Sequence, residues 1–598
     1  MSEVANHSVL KGGAFIIQDS VAAETFIPEQ LTEEQLMVKQ TVQDFVRNEI
    51  DPIRNDLEKQ KGNHNVALLE KLGELGLMGT HIPEEYGGSG MDTNTNTLIC
   101  DALGPGGGFT VSFAVQTGIG MLPILYYGNE AQKQQYLPAL VAGTLKACYC
   151  LTEPGSGSDA LAAKTRADLT ADGKHYVLNG QKMWISSAAF ADIYIVFAKI
   201  GGTKFTGFIV PRGADGLTLG AEEDKLGIKS SPTRQVFFEN VQVPVENVLG
   251  EIGKGHLIAF NVLNIGRFKL GALCLGGSKV VADSAVKHAV ERQQFKQPIA
   301  NFGAIQFKLA EMAIRNFAAE SSQYRVSQLI QDRIAVLRAK GKSYADATLD
   351  AAEEYAIECS ILKVAGSEAL DYVVDENVQV HGGLGYSEEY GAARAYRDSR
   401  INRIYEGTNE INRLLTVDML LKKAMKGQLD IVTPAWAVQK ELTSMPSMTR
   451  PTGLYGEEKA AMKDFKKIIL MVAGGAVKMQ MDGKINLEKE QEILMNVADM
   501  MIESFNMEST LLRVEKLRLI EKEVSQEVYE AILKVVFADG TARMHKFATD
   551  AISSFAEGDL LKTFLMGVKR FTKYPAVNVK NMRRQIAGAM IERKAYCF

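Results

Sequence analysis

Three stretches of the chain carry residue types able to do chemistry. "INRIYEGTNEINR" (Ile401–Arg413) sets Glu406 between Tyr405 and Gly407, in the loop before a helix. Ile411, Leu414, Leu415 and Met419 repeat at helical spacing, and Thr408 or Asn409 can cap the first turn. A carboxylate in such a loop is either a solvated charge or a functional group, and the local pattern leaves both open. "YCLTEPGSGSD" (Tyr149–Asp159) runs from a strand into a turn of Pro, Gly and Ser. Backbone N–H groups and hydroxyls converge there and can hold a flat polar ring edge or a phosphate, although an ordinary β-domain loop has the same composition. "NGQKMWISS" places Trp184, one of two tryptophans, about 25 residues on. Its indole is either a core residue or a cover for an aromatic cofactor.

The elements that must position these stretches change character along the chain. From about Leu31 to Leu140 the pattern is helical, with a capping box (Thr32 and Gln35) and an apolar stripe at Leu36, Val42, Phe45 and Val46. Between Lys146 and Leu249 short β-rich runs such as "IYIVFAK" and "FTGFIVP" take over, with Asp172-Gly173 and Asn179-Gly180 read as two-residue hairpin turns. Helical periodicity returns from Gly255 to Met425. Gly427–Tyr455, with prolines at 434, 446 and 451, reads as a linker with too little periodicity for an amphipathic helix. The stripe Met462, Phe465, Ile469, Val472 and Ala476 opens a last helical part. The expected fold class is α+β, mostly α. An extension (1–30) precedes an N-terminal helical domain (31–145) and a middle antiparallel β-barrel or sandwich domain (146–250). A helical bundle (251–426), a linker (427–456) and an extra helical domain (457–598) follow.

Composition excludes several functions. The 598 residues, 46% hydrophobic and 23% charged, suit a soluble globular protein, and a net charge of −5 gives no reason to propose nucleic acid. Six cysteines show no CxxC pair; Cys148 and Cys150 share one face of a strand and read as small core residues, which points to a reducing compartment. The eight histidines are dispersed, HExxH and GxSxG are missing, and no metal site is expected. "GSGSDA" lacks a third glycine and "GGLGYS" follows a helical stretch, which argues against a Rossmann site or P-loop. "MSEVANHSVLKGGAF" has no signal or presequence layout, and no apolar run approaches the roughly 18 residues of a membrane span, so the expected location is cytoplasmic.

Six motifs, taken together, resemble the acyl-CoA dehydrogenase family: "YCLTEPGSGSD", "LNGQKMWISS", "LGIKSSPT…VFFENVQVPVENVLG", "ERQQFKQPI", "QVHGGLGYSEEY" and "RDSRINRIYEGTNEINR". The match spans roughly Leu31 to Met425. The helical addition after the linker, "LNIGRF" and the Phe-Gly of "IANFGAIQ" resemble the very-long-chain branch. The resemblance implies a four-helix bundle after the β domain, with FAD in the cleft between them. Tyr149, Leu151 and Thr152 would bond the flavin's pyrimidine edge, Trp184 would pack against it, and Ser186 would set a hydroxyl near N5. Ser158 would reach the cofactor's pyrophosphate or the substrate's pantetheine, and Thr408 and Glu410 would finish the site. Across a dimer interface, Arg292 and Phe295 would contact the partner's pyrophosphate and adenine, with Gln379, Gly382 and Gly383 giving backbone approach; arginine's bidentate fork suits a pyrophosphate. Arg267 and Asn264 resemble a substrate-side pair near the adenine and pantetheine of CoA.

The implied reaction oxidises acyl-CoA to 2-enoyl-CoA, with Glu406 as the base that takes the Cα proton. Gly407 leaves room for substrate and Tyr405 walls the cavity. Some branches carry the base at the position of Gly266, where a glycine cannot serve. The expected substrate is a long-chain acyl-CoA in fatty-acid β-oxidation and the expected electron acceptor an electron-transfer flavoprotein. The expected assembly is a homodimer with at most peripheral membrane contact. An acyl-CoA oxidase using O2 and a respiratory-complex assembly scaffold are the alternatives.

Overall fold

The structure, a computed structural model, describes residues 9–445 and 451–598. Its first segment is a strap whose Ala14, Phe15 and Ile16 are fully buried. Gly12 lies so close to the Glu354 carbonyl that a Cβ would sit 1.8 Å from its oxygen. Phe15 meets Phe505 edge-on at 4.9 Å, so the strap joins the bundle to the C-terminal helices.

Helix Glu33–Phe45 begins where the sequence places a capping box: the Gln35 N–H donates to Thr32 Oγ1 (3.2 Å) and the Thr32 N–H to Gln35 Oε1 (3.0 Å). Val42, Phe45 and Val46 are buried, whereas Leu36, one turn from the cap, is exposed.

The β domain is one twisted sheet of β1 (Ala147–Cys150), β2 (Arg166–Leu169), β3 (His175–Ser186), β4 (Ile193–Ile200), β5 (Lys204–Pro211), β6 (Leu217–Glu222), β7 (Thr233–Pro244) and β8 (Val248–Leu249), in the order β6-β7-β3-β2-β4-β5-β8 with β1 also on β4. Most pairings are antiparallel, as the alternation implies, but β1 and β2 (Arg166–Leu169) both run parallel to β4. Asp172-Gly173 turns β2 into β3 (His175–Ser186). Asn179-Gly180 is not a turn. It lies inside β3, at a bulge against β7 (Thr233–Pro244), where Asn179 and Asn240 exchange hydrogen bonds. A Cβ at Gly180 would meet Thr165 at 2.5 Å, so this glycine serves close backbone approach. Cys148 and Cys150 are buried on one face of β1, and Ala147 and Tyr149 pack on the other.

The bundle consists of helices Gly255–Glu291, Gly303–Ala339, Ala356–His381 and Asn409–Met425. Among the described residues two stretches, Phe109–Tyr127 and Gly255–Glu291, are long and apolar enough to cross a bilayer, where the sequence reading found no such run. Their most apolar windows are 83% and 67% buried inside the protein, so these are core surfaces. Within the supposed linker, Val432–Leu442 is a helix packed on helix Gly456–Met481. Its Pro434 sits in the first turn, where a missing N–H costs nothing. Pro446 lies outside the described residues.

Five helices from Gly456 to Arg593 form the added domain. Buried ion pairs fasten it to the bundle. Arg513 bridges Glu320 (2.8 Å) and Glu29 of the strap (2.6 Å), Glu320 also meets Lys279 (2.8 Å), and Lys279 reaches Asp101 (2.6 Å). Burial alone would raise the Glu320 carboxyl, but Lys279 and Arg513 outweigh it and hold it at about 2.

Candidate active site

Glu406 and Gly407 both take left-handed backbone, with φ of 58° and 78°. For a glutamate this conformation costs about 1–3 kcal/mol and persists only where surroundings enforce it. Three helices supply the enforcement. Arg267 Nε donates to the Glu406 carbonyl (3.1 Å), Lys363 Nζ to the Gly407 carbonyl (2.8 Å), and Asn412 Nδ2 to the carbonyls of 406, 407 and 408 (3.3, 2.9 and 3.0 Å). Thr408 is the cap of the following helix, its Oγ1 accepting the Ile411 N–H at 3.2 Å.

The glutamate is set for proton transfer. Its Oε2 is buried with no hydrogen-bond partner among the described residues. Burial pushes its carboxyl up to about 7 against the opposing charges of Arg267 and Lys363. Gly266 faces it from the helix Gly255–Glu291, and a Cβ there would lie 2.6 Å from Oε2. The glycine is therefore the clearance that lets the carboxylate stand in this place.

Glu406 opens into a cavity of about 1930 Å³. That is roughly twice the upper end of ordinary small-molecule pockets, room for two large ligands together. One wall is the Tyr149–Asp159 turn, built on a buried ion pair. Glu153 meets Lys182 at 2.7 Å and accepts the N–H groups of Lys164 (2.6 Å) and Thr165 (3.1 Å). Lys182 also donates to the Leu151 carbonyl at 3.3 Å, and the Met183 N–H to the Thr152 carbonyl at 2.9 Å, which ties the turn to β3.

Most of the sequence-predicted site residues meet here. Tyr149, Leu151, Thr152, Ser158, Trp184 and Ser186 line the cavity from the β domain. Asn264, Arg267, Tyr405, Glu406, Gly407 and Thr408 line it from the bundle. Two features fit a flat heteroaromatic cofactor such as the implied FAD: the buried Tyr149 hydroxyl without a partner among the described residues, and Trp184, half exposed on the wall with φ of 60°. Six others are elsewhere. Arg292, Phe295, Gln379, Gly382 and Gly383 are exposed and outside the cavity, as is Glu410 in the first turn of its helix.

Arg267 and Asn264 differ from the expected substrate-side pair. Both are buried, Arg267 Nη1 donates to Asn264 Oδ1 at 2.9 Å, and the guanidinium Nε is committed to the Glu406 carbonyl. Their first task is to hold the glutamate's loop. The sequence reading missed Glu153, Lys182, Lys363 and Asn412. Lys363, alone among apolar neighbours in "SILKVAG", is the one that pattern could have flagged, because a lone charge on a buried helix face needs a partner.

Comparison with known proteins agrees with this geometry. Family models match in chain order: acyl-CoA dehydrogenase N-terminal domain at residues 32–144, middle domain at 148–241, C-terminal domain at 253–421, and a further acyl-CoA dehydrogenase C-terminal domain at 464–570. A probable acyl-CoA dehydrogenase of Bacillus subtilis is 44% identical over 590 residues, 98% of each chain. The rat mitochondrial very long-chain specific acyl-CoA dehydrogenase is 40% identical over 418 residues, 68% of this chain and 58% of that protein. The crystal structure of a Bacillus anthracis acyl-CoA dehydrogenase complexed with FAD superposes with a TM-score of 0.94 at 45% identity, covering 98% of this chain and all of that one. Butyryl-CoA dehydrogenase of Megasphaera elsdenii matches 66% of this chain and 99% of its own at a TM-score of 0.58 and 35% identity. With every domain matched in order around a cavity-facing glutamate, this chain belongs to the acyl-CoA dehydrogenase family.

Proposed function

We propose that this FAD-dependent enzyme oxidises long-chain acyl-CoA to trans-2-enoyl-CoA in fatty-acid β-oxidation. In this reading it works in the cytoplasm as a homodimer and passes its electrons to an electron-transfer flavoprotein. The observation that carries the reading is the Glu406 carboxylate: buried, unpaired at Oε2 among the described residues, raised to about 7 and facing the cavity.

The chain's own residues account for the proton transfer. A Cα proton is weakly acidic, so its removal needs a donor on the thioester oxygen as charge develops there. The Glu406 backbone N–H makes no intramolecular hydrogen bond among the described residues and supports that role. Glu406 then takes the proton, and a carboxylate titrating near 7 is matched to that task at neutral pH. FAD, when bound, supplies the acceptor for the hydride that leaves Cβ. The Tyr149–Asp159 turn and Trp184 are the residues that would hold the flavin.

The cavity floor supports the long-chain reading. Val111 and Val115 line it and pack with Ile228, so no polar side chain closes the tunnel at these positions. Each added CH₂ buried there contributes about 0.8 kcal/mol. A series of saturated acyl-CoAs from C4 to C18 should show kcat/KM rising to C12 or beyond, and a maximum at C4 to C8 would reject the long-chain assignment.

The decisive test is Glu406→Gln. Glutamine keeps shape while removing the basic oxygen, so the purified variant should stay yellow, bind acyl-CoA and fail to bleach anaerobically. Loss of a general base costs about 10²- to 10⁴-fold, and the upper end is expected because Gly266 offers no second carboxylate. In the wild type only the ionised carboxylate is competent, so the reduction rate should climb as pH rises through about 7 and then level. A variant keeping a tenth of the wild-type rate would move the base elsewhere. Turnover with and without O2 separates a dehydrogenase from an oxidase.

A further inference from the structure

The loop that carries Glu406 is tied to the added C-terminal domain by one continuous chain of side chains. Lys363, fully buried on helix Ala356–His381, donates to the Gly407 carbonyl at 2.8 Å and to Asn409 Oδ1 at 2.6 Å. Asn409 Nδ2 donates in turn to Glu368 Oε1 at 3.0 Å. Arg413 clamps both oxygens of Glu368, at 2.7 and 3.0 Å, in the bidentate geometry that fixes a carboxylate's orientation. The remaining donor of the fork, Arg413 Nε, reaches Asp499 Oδ1 at 2.7 Å. Asp499 belongs to helix Gln491–Leu517, a helix of the added domain.

We propose that Lys363 is a positioning residue for the Glu406 base, and that Asp499 is the outer end of the chain holding it, which makes the C-terminal domain part of the base's support. The inference rests on the reading of Glu406 as the base. Two considerations carry it. The loop's left-handed backbone at Glu406 and Gly407 must be imposed from outside, and Lys363 is one of only three side chains that bond its carbonyls among the described residues. A buried lysine could also turn its ammonium elsewhere; the Asn409 carbonyl oxygen fixes its direction, and Asn409 is itself fixed by Glu368.

Lys363 also acts on the base through charge. The groups facing Glu406 are Arg267 from helix Gly255–Glu291, Lys363 from helix Ala356–His381, and the phenols of Tyr149 and Tyr405. The two cations favour the ionised carboxylate and oppose burial. Lys363 is itself drawn down to about 8 by burial, with the Cys274 thiol, Glu406 and Glu368 opposing and Arg267 reinforcing, so its ammonium is charged at neutral pH. Without it, Glu406 should hold its proton to higher pH.

The test uses the full-length holoenzyme in four variants: Lys363→Met, Asp499→Asn, Glu406→Gln, and Glu503→Gln as a control. Glu503 lies one turn from Asp499 on the same helix and pairs with Arg543 at 2.6 and 2.9 Å, with no hydrogen bond to Arg413 or Glu368 among the described residues, so it controls for the loss of a neighbouring charge alone. Two quantities are measured: the pH profile of anaerobic flavin reduction, and hydrogen–deuterium exchange across residues 404–412, which needs no turnover. Lys363→Met should lower the maximal reduction rate by about tenfold or more with KM changed little, because misplacing a base by an ångström costs up to about 10². Its acid limb should move up by about one pH unit, since one of two stabilising cations has gone. Asp499→Asn should reduce the rate by about threefold and speed exchange across 404–412, a partial misplacement, while Glu503→Gln should match the wild type in both.

An unmoved acid limb in Lys363→Met, with the rate merely lower at every pH, would reduce Lys363 to a structural prop and overturn the proposal. Asp499→Asn behaving like Glu503→Gln would overturn the part played by the added domain, and it decides that part even if Lys363→Met fails to fold. Glu406→Gln separates the two levels: an active Glu406→Gln removes the underlying reading, whereas an inert one leaves any failure with Lys363 and Asp499.

Discussion

At the scale of single residues, the site turns on what a glycine leaves out. An alanine at 266 would place its Cβ 2.6 Å from Glu406 Oε2 and 2.9 Å from Cδ. The atoms that must yield are the free end of a side chain, so Gly266→Ala should fold and keep its flavin while the carboxylate swings away. A displacement of this size costs about 10²-fold in rate; stopped-flow reduction of Gly266→Ala within threefold of wild type would show that the carboxylate has room to spare. The loop that carries the glutamate was legible in the sequence, because the capping threonine and Gly407 lie within a few residues of it, but its role as the base came only with the resemblance to the family. The partners that hold it were not legible. Lys363 and Arg267 come from 44 and 139 residues away along the chain, and no local period reports such a contact. For Arg267 the resemblance points to the substrate, because it places a residue near a ligand without saying which of its donors are already used.

Among the elements, the strap at the N-terminus contains the plainest pH-dependent contact. Glu358 on helix Ala356–His381 accepts the Gly13 N–H at 2.7 Å through Oε1, while its Oε2 is buried without a partner among the described residues. Burial raises this carboxyl to about 7, against the Gly13 hydrogen bond and the charge of Lys423. The sign follows from linkage. A carboxyl whose folded pKa exceeds its unfolded value binds its proton more tightly when folded, so stability falls as pH rises from about 4.5 to about 7 and stays low above that. Glutamine mimics the protonated form and keeps the Oε1 acceptor. Glu358→Gln should therefore gain about 1–3 kcal/mol at pH 8 and almost nothing at pH 5, measured by urea unfolding at the two pH values. Equal effects at both would mean that the carboxyl does not titrate in this range. In the same segment the buried residues Ala14 to Ile16 are too short a run to show a period, so the sequence alone marks 1–30 only as an extension. Elsewhere, elements were legible where one signal had one meaning, as with the Thr32 capping box. They were misread where one signal serves two purposes. Asn179-Gly180 makes a bulge as readily as a hairpin turn, and Pro434 opens a helix as readily as it breaks one.

For the whole molecule, the order of domains was legible and the assembly is where the chain's exposed residues have to be explained. Phe295 is 84% exposed with φ of 50°, at the end of helix Gly255–Glu291. Gln379, Gly382 and Gly383 are exposed at the end of helix Ala356–His381. The two helix ends are locked together, for His288 and His381 stack with their rings 4.1 Å apart. Arg292, whose charge reaches His288, and Phe295, edge-on to Phe302, follow one histidine as Gly382 and Gly383 follow the other, so all four lie at this end of the helix pair. An exposed aromatic ring beside open backbone is the kind of surface that a partner covers, aromatic residues being enriched at interfaces. A second copy of the chain would cover Phe295 and receive from Arg292 a fork for the cofactor's diphosphate. Oligomeric state and flavin content should therefore fall together. In Phe295→Glu a buried, unpaired carboxylate would oppose association, and sedimentation velocity at micromolar protein should show monomer, against the dimer expected of the wild type. The ratio of flavin to protein absorbance should drop in the same preparation and recover only when FAD is added in excess. A variant that remains dimeric with full flavin would place the interface on another face. A wild type that sediments as a tetramer would mean that the added domain leaves uncovered the surface through which two dimers meet.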